Sequence, residues 1–292
     1  SASMALSETG MLLITAATGK IGSIVVEQLS ARGIAARALI RNPGQARDLP
    51  GIDWMIGDFE DGASMAAALD GVDVMYLACG ESQRKVELEK QAIDAASSAR
   101  VTRVVKVSAS DAHDDNASDF RRGNGMIERY LRDSGLAWTI LRPTMFNQSL
   151  DLLAIAQKGE LLSPQGDATT PFIDVRDIAD VAVAVLTAEN HHDRIYDLTG
   201  PDALTLDALA VVVSEVCGKP VTCRHVTDAE SYRGLLEAGV DEGMARSMIA
   251  HWQSYRARPA ALISGWTEIL TSHPPRTLRA YLEECVAASG IS

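Results

Sequence analysis

Apolar runs alternate with helical patterns along the first half of the chain. The runs lie at residues 11–15, 34–40, 51–56, 72–78 and 101–108. Between the first two, residues 20–32 carry Ile21, Ile24, Val25 and Leu29 at the spacing of one helix face. Strands that alternate with helices pair in parallel, because parallel neighbours need a crossover connection. The pattern therefore predicts an α/β fold built on a doubly wound parallel sheet.

The second half of the chain has shorter and more mixed elements. A polar stretch at 111–125 predicts a loop, which a helix at 126–134 and a strand at 136–143 follow. Further along, the pattern predicts a strand near 171–175, a helix that Asp177 caps, and helices at 148–158, 205–217, 228–238, 241–257 and 276–288. We therefore expect a first domain at 1–145 and a smaller α/β lobe at 146–292, interwoven with it.

A turn with two glycines connects the first strand to the first helix. It is the pattern G-x-x-G-x-x-G with Ala16 in place of the first glycine, followed by Gly19 and Gly22. Glycines let the backbone approach a pyrophosphate, and the free N–H groups of the helix N-terminus bind its charge. Ala16 fits such a turn if its φ is negative. The turn therefore predicts a dinucleotide site formed by Ala16, Thr18, Gly19, Lys20, Ile21 and Gly22.

The end of the second strand indicates which dinucleotide binds. NAD-selective sites place Asp or Glu there to hold the ribose 2′-hydroxyl. This strand ends instead in Arg41 and Asn42. A guanidinium is permanently charged and binds a phosphate through two parallel hydrogen bonds. We therefore expect NADP(H) as the preferred cofactor, with NAD(H) as the alternative.

The third and fourth strands end in further candidates for cofactor contacts. Asp58 and Phe59 follow the third strand. Two roles stay open for Asp58: contact with the adenine edge, and the N-cap of the next helix. Ala78, Cys79 and Gly80 end the fourth strand, where small residues let the backbone lie along a cofactor. All five are expected to bind the dinucleotide.

Seven ordered segments add a resemblance that covers nearly the whole chain. They are ITAATGKIG (14–22), IRN (40–42), GDFED (57–61), SGLAWTILRPTMF (134–146), TPFIDVRDIADVAV (170–183), YDLTGPDALT (196–205) and HPPRTLRAYL (273–282). Together they resemble the NmrA-like branch of the atypical short-chain dehydrogenase/reductases, which includes quinone reductases and triphenylmethane reductases. The resemblance implies a Rossmann domain that binds NADP(H), with Ser108 and Ala109 beside the nicotinamide ribose. It also implies that Pro143, Met145 and Phe146 line the substrate side.

The chain lacks the catalytic pair of mainstream short-chain dehydrogenases, a Tyr with a Lys four residues later. Tyr130 lies on the expected helix, but Ser134 stands where that Lys would be, so Tyr130 is expected to pack. Many relatives instead have Lys or His four residues before a Glu. Counting back from Glu128 gives Asn124, which is no proton donor. Asn124 and the loop residue His113 are therefore only minor catalytic candidates, and the proton donor stays unknown.

A chain without a proton donor suits reactions in which the protein only aligns a hydride donor with an electrophilic acceptor. We therefore predict an NADP(H)-dependent oxidoreductase whose small-molecule partner is a quinone-like or aromatic acceptor. Two alternatives stay open. One is a non-catalytic NAD(P) redox sensor that regulates a protein partner, and the other is a tailoring enzyme of an aromatic natural product.

Composition excludes several other classes. The formal net charge of −12 argues against binding to nucleic acid. No apolar stretch reaches the ~20 residues that span a bilayer, so no membrane partner is expected. The first ten residues lack the pattern of a secretory signal, and we expect a cytoplasmic protein with reduced cysteines. A homodimer stays open. Cys217, Cys223 and His225 match no zinc spacing, and no metal is predicted.

Overall fold

Seven strands form one parallel sheet in the computed structural model, which describes residues 10–258 and 261–290. They are β1 (Leu12–Ile14), β2 (Ala36–Ile40), β3 (Ile52–Ile56), β4 (Val74–Leu77), β5 (Arg103–Val107), β6 (Ala137–Pro143) and β8 (Arg194–Leu198). Their order is β3-β2-β1-β4-β5-β6-β8. Two further strands, β7 (Glu160–Ser163) and β9 (Thr222–His225), pair separately. The predicted doubly wound α/β fold is confirmed.

Helices cover both faces of the main sheet. They are α1 (Gly22–Ala31), α2 (Gly62–Leu69), α3 (Lys85–Ser98), α4 (Asp119–Asp133), α5 (Leu152–Lys158), α6 (Val175–Leu186), α7 (Leu206–Cys217), α8 (Asp228–Glu237), α9 (Glu242–Arg256), α10 (Trp266–Thr271) and α11 (Leu278–Ser289). The core on one face contains α1 and α6, and the core on the other contains α2, α3 and α4. β1 and β4 are therefore buried on both sides, which explains their unbroken apolar runs. Among the described helices, none combines the length and apolar character needed to cross a bilayer.

The strand order reverses at β1, which lies between β2 and β4. Loops that follow strands on either side of such a point diverge and leave a crevice at the carboxyl ends of the strands. The Thr15 hydroxyl joins the two central strands there. It donates to the carbonyl of Tyr76 at 2.9 Å and accepts from the N–H of Ala78 at 3.0 Å. The crevice is thus the expected place for a ligand.

Part of the second half of the chain extends the main sheet, because β8 pairs with β6. Much of the remainder forms a lobe in which α5, α7 and α11 pack around Leu209, Val213 and Leu282. The pair β7 and β9 lies beside α7. The predicted division of the chain after residue 145 stays a prediction. Residues 146–292 other than α6 and β8, which belong to the main sheet and its core, are called the C-terminal lobe below.

The predicted strand near 171–175 is wrong. In this segment a single isolated bridge joins Ile173 to Phe146, and α6 begins at Val175. The run is apolar for another reason. Phe172 packs into the core of the C-terminal lobe, whereas Ile173 packs into the core under α1 and α6. A connection between two cores thus carries the same pattern as a buried strand.

The predicted capping role of Asp177 is also wrong. Asp174 caps α6 instead, since its carboxylate accepts from the backbone N–H of Arg176 at 2.9 Å. Asp177 lies one turn further on, fully buried, and is paired with Arg276. Either Asp satisfies a capping pattern in the sequence. Only the fold decides which one precedes the first helical turn.

Helix α4 begins at Asp119, well inside the predicted polar loop at 111–125. Ser118 caps the helix through its side chain. The misleading signal is glycine, which usually marks turns. Gly125 lies within the helix, where a Cβ would come within 2.3 Å of the backbone of His113. Glycine is needed here because the preceding loop packs directly on the helix.

The opening turn differs from the expectation at Ala16, whose φ is +48°. The expected negative φ is therefore wrong. The Ala16 carbonyl accepts from the N–H of Gly19 at 2.9 Å and lies against Gly22, where a Cβ would come within 2.2 Å of it. The left-handed conformation costs a non-glycine residue about 1 kcal/mol. The contact with Gly22 holds Ala16 in this strained conformation.

Replacement of Ala16 by glycine should relieve this strain. We expect Ala16→Gly to raise the free energy of unfolding by up to ~1 kcal/mol, as measured by urea denaturation. Ala17→Gly is the matched control. Ala17 is fully buried and is not among the residues with positive φ, so glycine there should lower stability. An Ala16→Gly variant less stable than the wild type would contradict the strain.

Helix α9 packs on α4 through a polar contact. The Nδ1 atom of His251 lies 2.9 Å from the hydroxyl of Ser118. The Arg121 guanidinium lies 4.6 Å from the centre of the Tyr255 ring. Burial, and to a lesser extent Arg121, lowers the pKa of His251 to about 4. The imidazole is therefore neutral in the folded protein at neutral pH.

The lowered pKa of His251 makes the free energy of unfolding depend on pH. In the unfolded chain His251 titrates near 6.5, so between pH 6.5 and 4 the unfolded state binds a proton that the folded state does not. Its contribution to stability is complete above this range and is lost as the pH falls through it. Between pH 8 and pH 5, urea denaturation should show the wild type losing about 2 kcal/mol more than His251→Gln. Equal losses would contradict the burial of a neutral imidazole.

Candidate cofactor-binding cleft

A cleft of about 420 Å³ opens at the carboxyl ends of β1, β2, β3 and β4. Nine predicted cofactor residues line it: Ala16, Thr18, Gly19, Arg41, Asp58, Phe59, Ala78, Cys79 and Gly80. The sequence did not predict the other lining residues, which are Leu39, Ile40, Gln45, Gly57, Glu60, Glu81, Ser82 and Leu88. Most of these directly flank the predicted ones at the same strand ends. The position of the strand ends was therefore the available signal.

The N-terminus of α1 follows the loop that borders this cleft. No described side chain caps its backbone N–H groups. Ile21 occupies the N-cap position, and the first turn contains no acidic residue. The helix dipole places partial positive charge at this end. Gly22 keeps the first turn against the Ala16 carbonyl, where a side chain would not fit. This arrangement suits an anionic group such as a pyrophosphate.

Arg41 lies just after β2 and lines the cleft. In the described part of the chain its guanidinium forms no ion pair. Two other arginines of this region do: Arg37 with Asp53, and Arg47 with Glu27. Arg41 is thus an exposed cation that is available to an anionic group of a ligand.

The structure excludes one of the two roles left open for Asp58. The N-cap of α2 is Asp61, whose carboxylate accepts from the N–H of Ala63 at 3.1 Å. Asp58 instead accepts from the backbone N–H of Glu60 at 3.0 Å and lines the cleft beside Phe59. The capping role was therefore wrong, and contact with a ligand stays a prediction.

Small residues follow β4 along the wall of the cleft. Ala78, Cys79 and Gly80 leave room for a ligand beside the backbone. Burial, and secondarily the nearby Glu89 carboxylate, raises the pKa of the Cys79 thiol. Cys79 is therefore a neutral thiol at neutral pH and not an activated nucleophile.

Five other predicted cofactor residues lie outside the lining of this cleft: Lys20, Ile21, Gly22, Ser108 and Ala109. The Lys20 ammonium donates to the carbonyl of Gln148 at 3.0 Å, which joins the opening turn to the C-terminal lobe. The Ser108 hydroxyl donates to the Glu128 carboxylate at 2.5 Å. Both side chains are thus held by contacts within the protein.

Two ion pairs with buried carboxylates lie near the ends of β5 and β6, and the sequence analysis did not predict them. Lys106 Nζ lies 2.8 Å from Glu89 Oε2, and neither side chain is exposed. Arg142 donates to both carboxylate oxygens of Glu128, at 2.9 and 2.6 Å. The signal in the sequence that could have indicated the first pair was the lysine inside the apolar run of β5. These pairs fix the positions of α3 and α4 against the sheet.

The minor catalytic candidates lie in different surroundings. Asn124 is buried, and its carbonyl oxygen accepts from Lys106 at 3.3 Å. His113 is exposed on the loop before α4. Tyr130 donates its hydroxyl proton to Asp94 on α3 at 2.6 Å, and its ring packs against the core under α3 and α4. The structure therefore does not bring these three side chains together.

The predicted substrate residues lie at the end of β6 and directly after it. Pro143 is buried. Met145 packs against the core of the C-terminal lobe, and Phe146 against the core under α1 and α6. None of the three lines the 420 Å³ cleft. Their predicted contact with a substrate stays a prediction.

Comparison with known proteins agrees with this geometry. Residues 16–189 match the protein family described as NAD(P)H-binding. The chain is 31% identical over 287 residues to the NAD(P)H azoreductase of Xenophilus azovorans, which covers 96% of this chain and 99% of that protein. The matched family segment begins at Ala16 in the opening turn and extends beyond α6. It therefore includes every lining residue of the cleft.

Solved structures share the whole architecture. The NADPH-dependent quinone oxidoreductase of Escherichia coli, in complex with NADPH, has a TM-score of 0.85 at 26% identity and covers 96% of this chain and 99% of that one. The triphenylmethane reductase of Citrobacter sp., in complex with NADP(H), shares the fold with a TM-score of 0.84 at 23% identity, over 94% and 99%. The resemblance found in the sequence is confirmed. This chain belongs to the NAD(P)H-binding family, in its NmrA-like branch of atypical short-chain dehydrogenase/reductases.

Proposed function

We propose that this protein is an NADPH-dependent reductase that acts on a quinone-like or other aromatic acceptor. The observation that carries the proposal is the cleft at the switch point. There an uncapped helix N-terminus and Arg41, which forms no ion pair with the described residues, provide two separate places for phosphate. The azoreductase and the quinone oxidoreductase are relatives that the chain matches over nearly its full length. Both names describe reduction of an electrophilic acceptor by a nicotinamide cofactor.

The residues of the cleft fit NADPH. The turn with Thr18 and Gly19, together with the N-terminus of α1, would hold the pyrophosphate. Arg41 would bind the 2′-phosphate, which NADH lacks. Asp58 and Phe59 lie where an adenine edge would find a hydrogen-bond acceptor and an apolar face. The Arg41 guanidinium, which has no ion-pair partner in the described part of the chain, supports a preference for NADPH over NADH.

When bound, NADPH supplies the hydride for reduction. The contribution of the chain is alignment, since neither Tyr130 nor Asn124 is placed as a proton donor. Tyr130 is engaged by Asp94, and Asn124 has no titratable proton. We assign the proton that completes a two-electron reduction to solvent water. This assignment suits acceptors that are electrophilic without activation, such as quinones.

The C-terminal lobe supplies the binding site for the acceptor in this proposal. Met145, Phe146 and Leu150 are half-buried apolar side chains of the segment through which the chain enters this lobe. Lys20 holds this segment to the opening turn through the carbonyl of Gln148. An apolar wall close to the cofactor loop favours a flat aromatic guest.

Replacement of Arg41 tests the cofactor preference. We expect Arg41→Ala to weaken NADPH binding about 10- to 100-fold, because a charge-assisted hydrogen bond contributes ~1.5–3 kcal/mol. NADH binding should stay nearly constant. Calorimetric titration measures both. Arg47→Ala is the matched control, since Arg47 is also an exposed arginine that follows β2 but pairs with Glu27. Equal weakening of NADPH and NADH would refute the role of Arg41.

Replacement of Tyr130 tests the absence of a tyrosine mechanism. Tyr130→Phe removes the hydroxyl that donates to Asp94 and leaves the packed ring in place. Anaerobic oxidation of NADPH by a soluble naphthoquinone should keep the kcat of the wild type within about twofold. A loss of about a hundredfold would restore tyrosine as the proton donor.

The same assay tests the proposed activity itself. The wild type should oxidise NADPH only when a quinone is present. Tight binding of NADPH without oxidation by any of a panel of quinones and azo dyes would contradict the reductase. That result would favour the redox sensor instead.

A further inference from the structure

Three side chains of different chemistry meet in the C-terminal lobe, and none of them lines the cofactor cleft. Asp207 lies in the first turn of α7. Cys223 and His225 lie on β9, two residues apart and therefore on one face of the strand. One oxygen, one sulfur and one nitrogen atom of these side chains all lie within 4.8 Å of one another.

The contacts within this cluster converge on the carboxylate. Asp207 Oδ2 lies 2.9 Å from His225 Nε2, and the Cys223 thiol also hydrogen-bonds to Asp207. In a nucleophilic triad, the imidazole lies between the thiol and the carboxylate. Here the carboxylate lies between the other two groups. The cluster is therefore not arranged as a cysteine nucleophile.

The spacing matches the coordination sphere of a zinc-type cation. Zn²⁺ binds Cys at about 2.3 Å and His or carboxylate at about 2.0–2.2 Å, which places tetrahedral ligand atoms about 3.3–3.8 Å apart. A spread of at most 4.8 Å reaches this geometry through small side-chain rotations. Sulfur and nitrogen donors favour Zn²⁺ over Mg²⁺ or Ca²⁺, which prefer oxygen.

The cluster is also open to an ion. About half of the side-chain surface of His225 and of Asp207 is exposed, 46% and 51%. In the described part of the chain, no Lys or Arg forms an ion pair with Asp207. The neighbouring Arg224 is paired instead with Glu160 on β7. A cation could therefore enter and keep a water molecule as its fourth ligand.

A second cluster of similar composition is less open to a cation, because an arginine already binds its carboxylates. Asp177, Asp180 and His273 also lie within reach of one ion. There Arg276 donates to both carboxylates, and the Asp177 side chain is fully buried. A metal would have to displace a guanidinium from these two groups. The cluster around Asp207 has no such competitor among the described residues.

We propose that Asp207, Cys223 and His225 bind one divalent cation of the zinc type, with water as the fourth ligand. The ion cross-links the start of α7 to β9 and stabilises the C-terminal lobe. The sequence did not predict this site, because most of α7 separates Asp207 from the other two ligands along the chain.

Cobalt titration tests the site in the untagged, reduced full chain. Co²⁺ reports its ligands directly, because a thiolate ligand gives a near-ultraviolet charge-transfer band and tetrahedral geometry gives strong visible bands. Both should saturate at about one Co²⁺ per chain, and Zn²⁺ should abolish them by displacement. Affinity should rise with pH, since the thiol loses its proton on coordination.

Variants distinguish Co²⁺ binding at this site from binding at other side chains of the chain. Cys223→Ser should remove the charge-transfer band, and Asp207→Asn and His225→Ala should each weaken Co²⁺ binding at least ~10-fold. Cys217→Ser is the matched control, because Cys217 is a half-buried thiol of the same lobe outside the cluster. Its spectrum should equal that of the wild type. Zn²⁺ should raise the Tm of the wild type and of Cys217→Ser, but not of Cys223→Ser.

Three results would overturn the proposal. They are no charge-transfer band at saturating Co²⁺, a band that survives Cys223→Ser, and a band that disappears in Cys217→Ser. NADPH binding by each variant serves as the test of correct folding. Since the cluster lies outside the cofactor cleft, the variants should bind NADPH like the wild type.

Discussion

The geometry of the cleft depends on one contact, between the carbonyl of Ala16 and the α carbon of Gly22. A Cβ at Gly22 would lie 2.2 Å from that oxygen, so the first turn of α1 reaches the end of β1 only without a side chain. The same contact holds Ala16 at a φ of +48° and places Gly19 within hydrogen-bond distance of it. The uncapped N-terminus of α1 therefore follows the switch point directly. The helix dipole would stabilise an anionic ligand bound there.

Below this contact the sheet is supported by buried charge as well as by apolar packing. Lys106 and Glu89 are both fully buried, and removal of one partner would leave an unpaired charge in the core. Burial lowers the pKa of Lys106 despite the nearby Glu89 carboxylate. The pair therefore fixes the position of α3 against β5.

The C-terminal lobe is joined to the nucleotide-binding sheet by polar contacts that differ in their response to pH. His251 meets Ser118 as a neutral imidazole, whereas Arg276 meets the buried Asp177 as an ion pair. Burial raises the pKa of Asp177 against the opposing effect of Arg276. Acid acts on the two contacts in opposite directions: it lowers stability through His251, which is protonated first in the unfolded chain, and not through Asp177, which is protonated first in the folded chain. Of these two contacts, the one at His251 is therefore the one that lowers stability in acid.

The sequence by itself determined the parallel sheet, the opening turn and the cation at Arg41, because these follow from local periodicity and from residues next to strand ends. Nine of the cleft residues were found in this way, since the carboxyl ends of parallel strands necessarily meet at one edge. Only the tertiary structure decided the φ of Ala16, the start of α4 and the cap of α6. It alone brought Asp207 to Cys223 and His225, and Lys106 to Glu89. These last two meetings depend on packing between segments distant in the chain, and local patterns carry no information about which distant segment a side chain will meet.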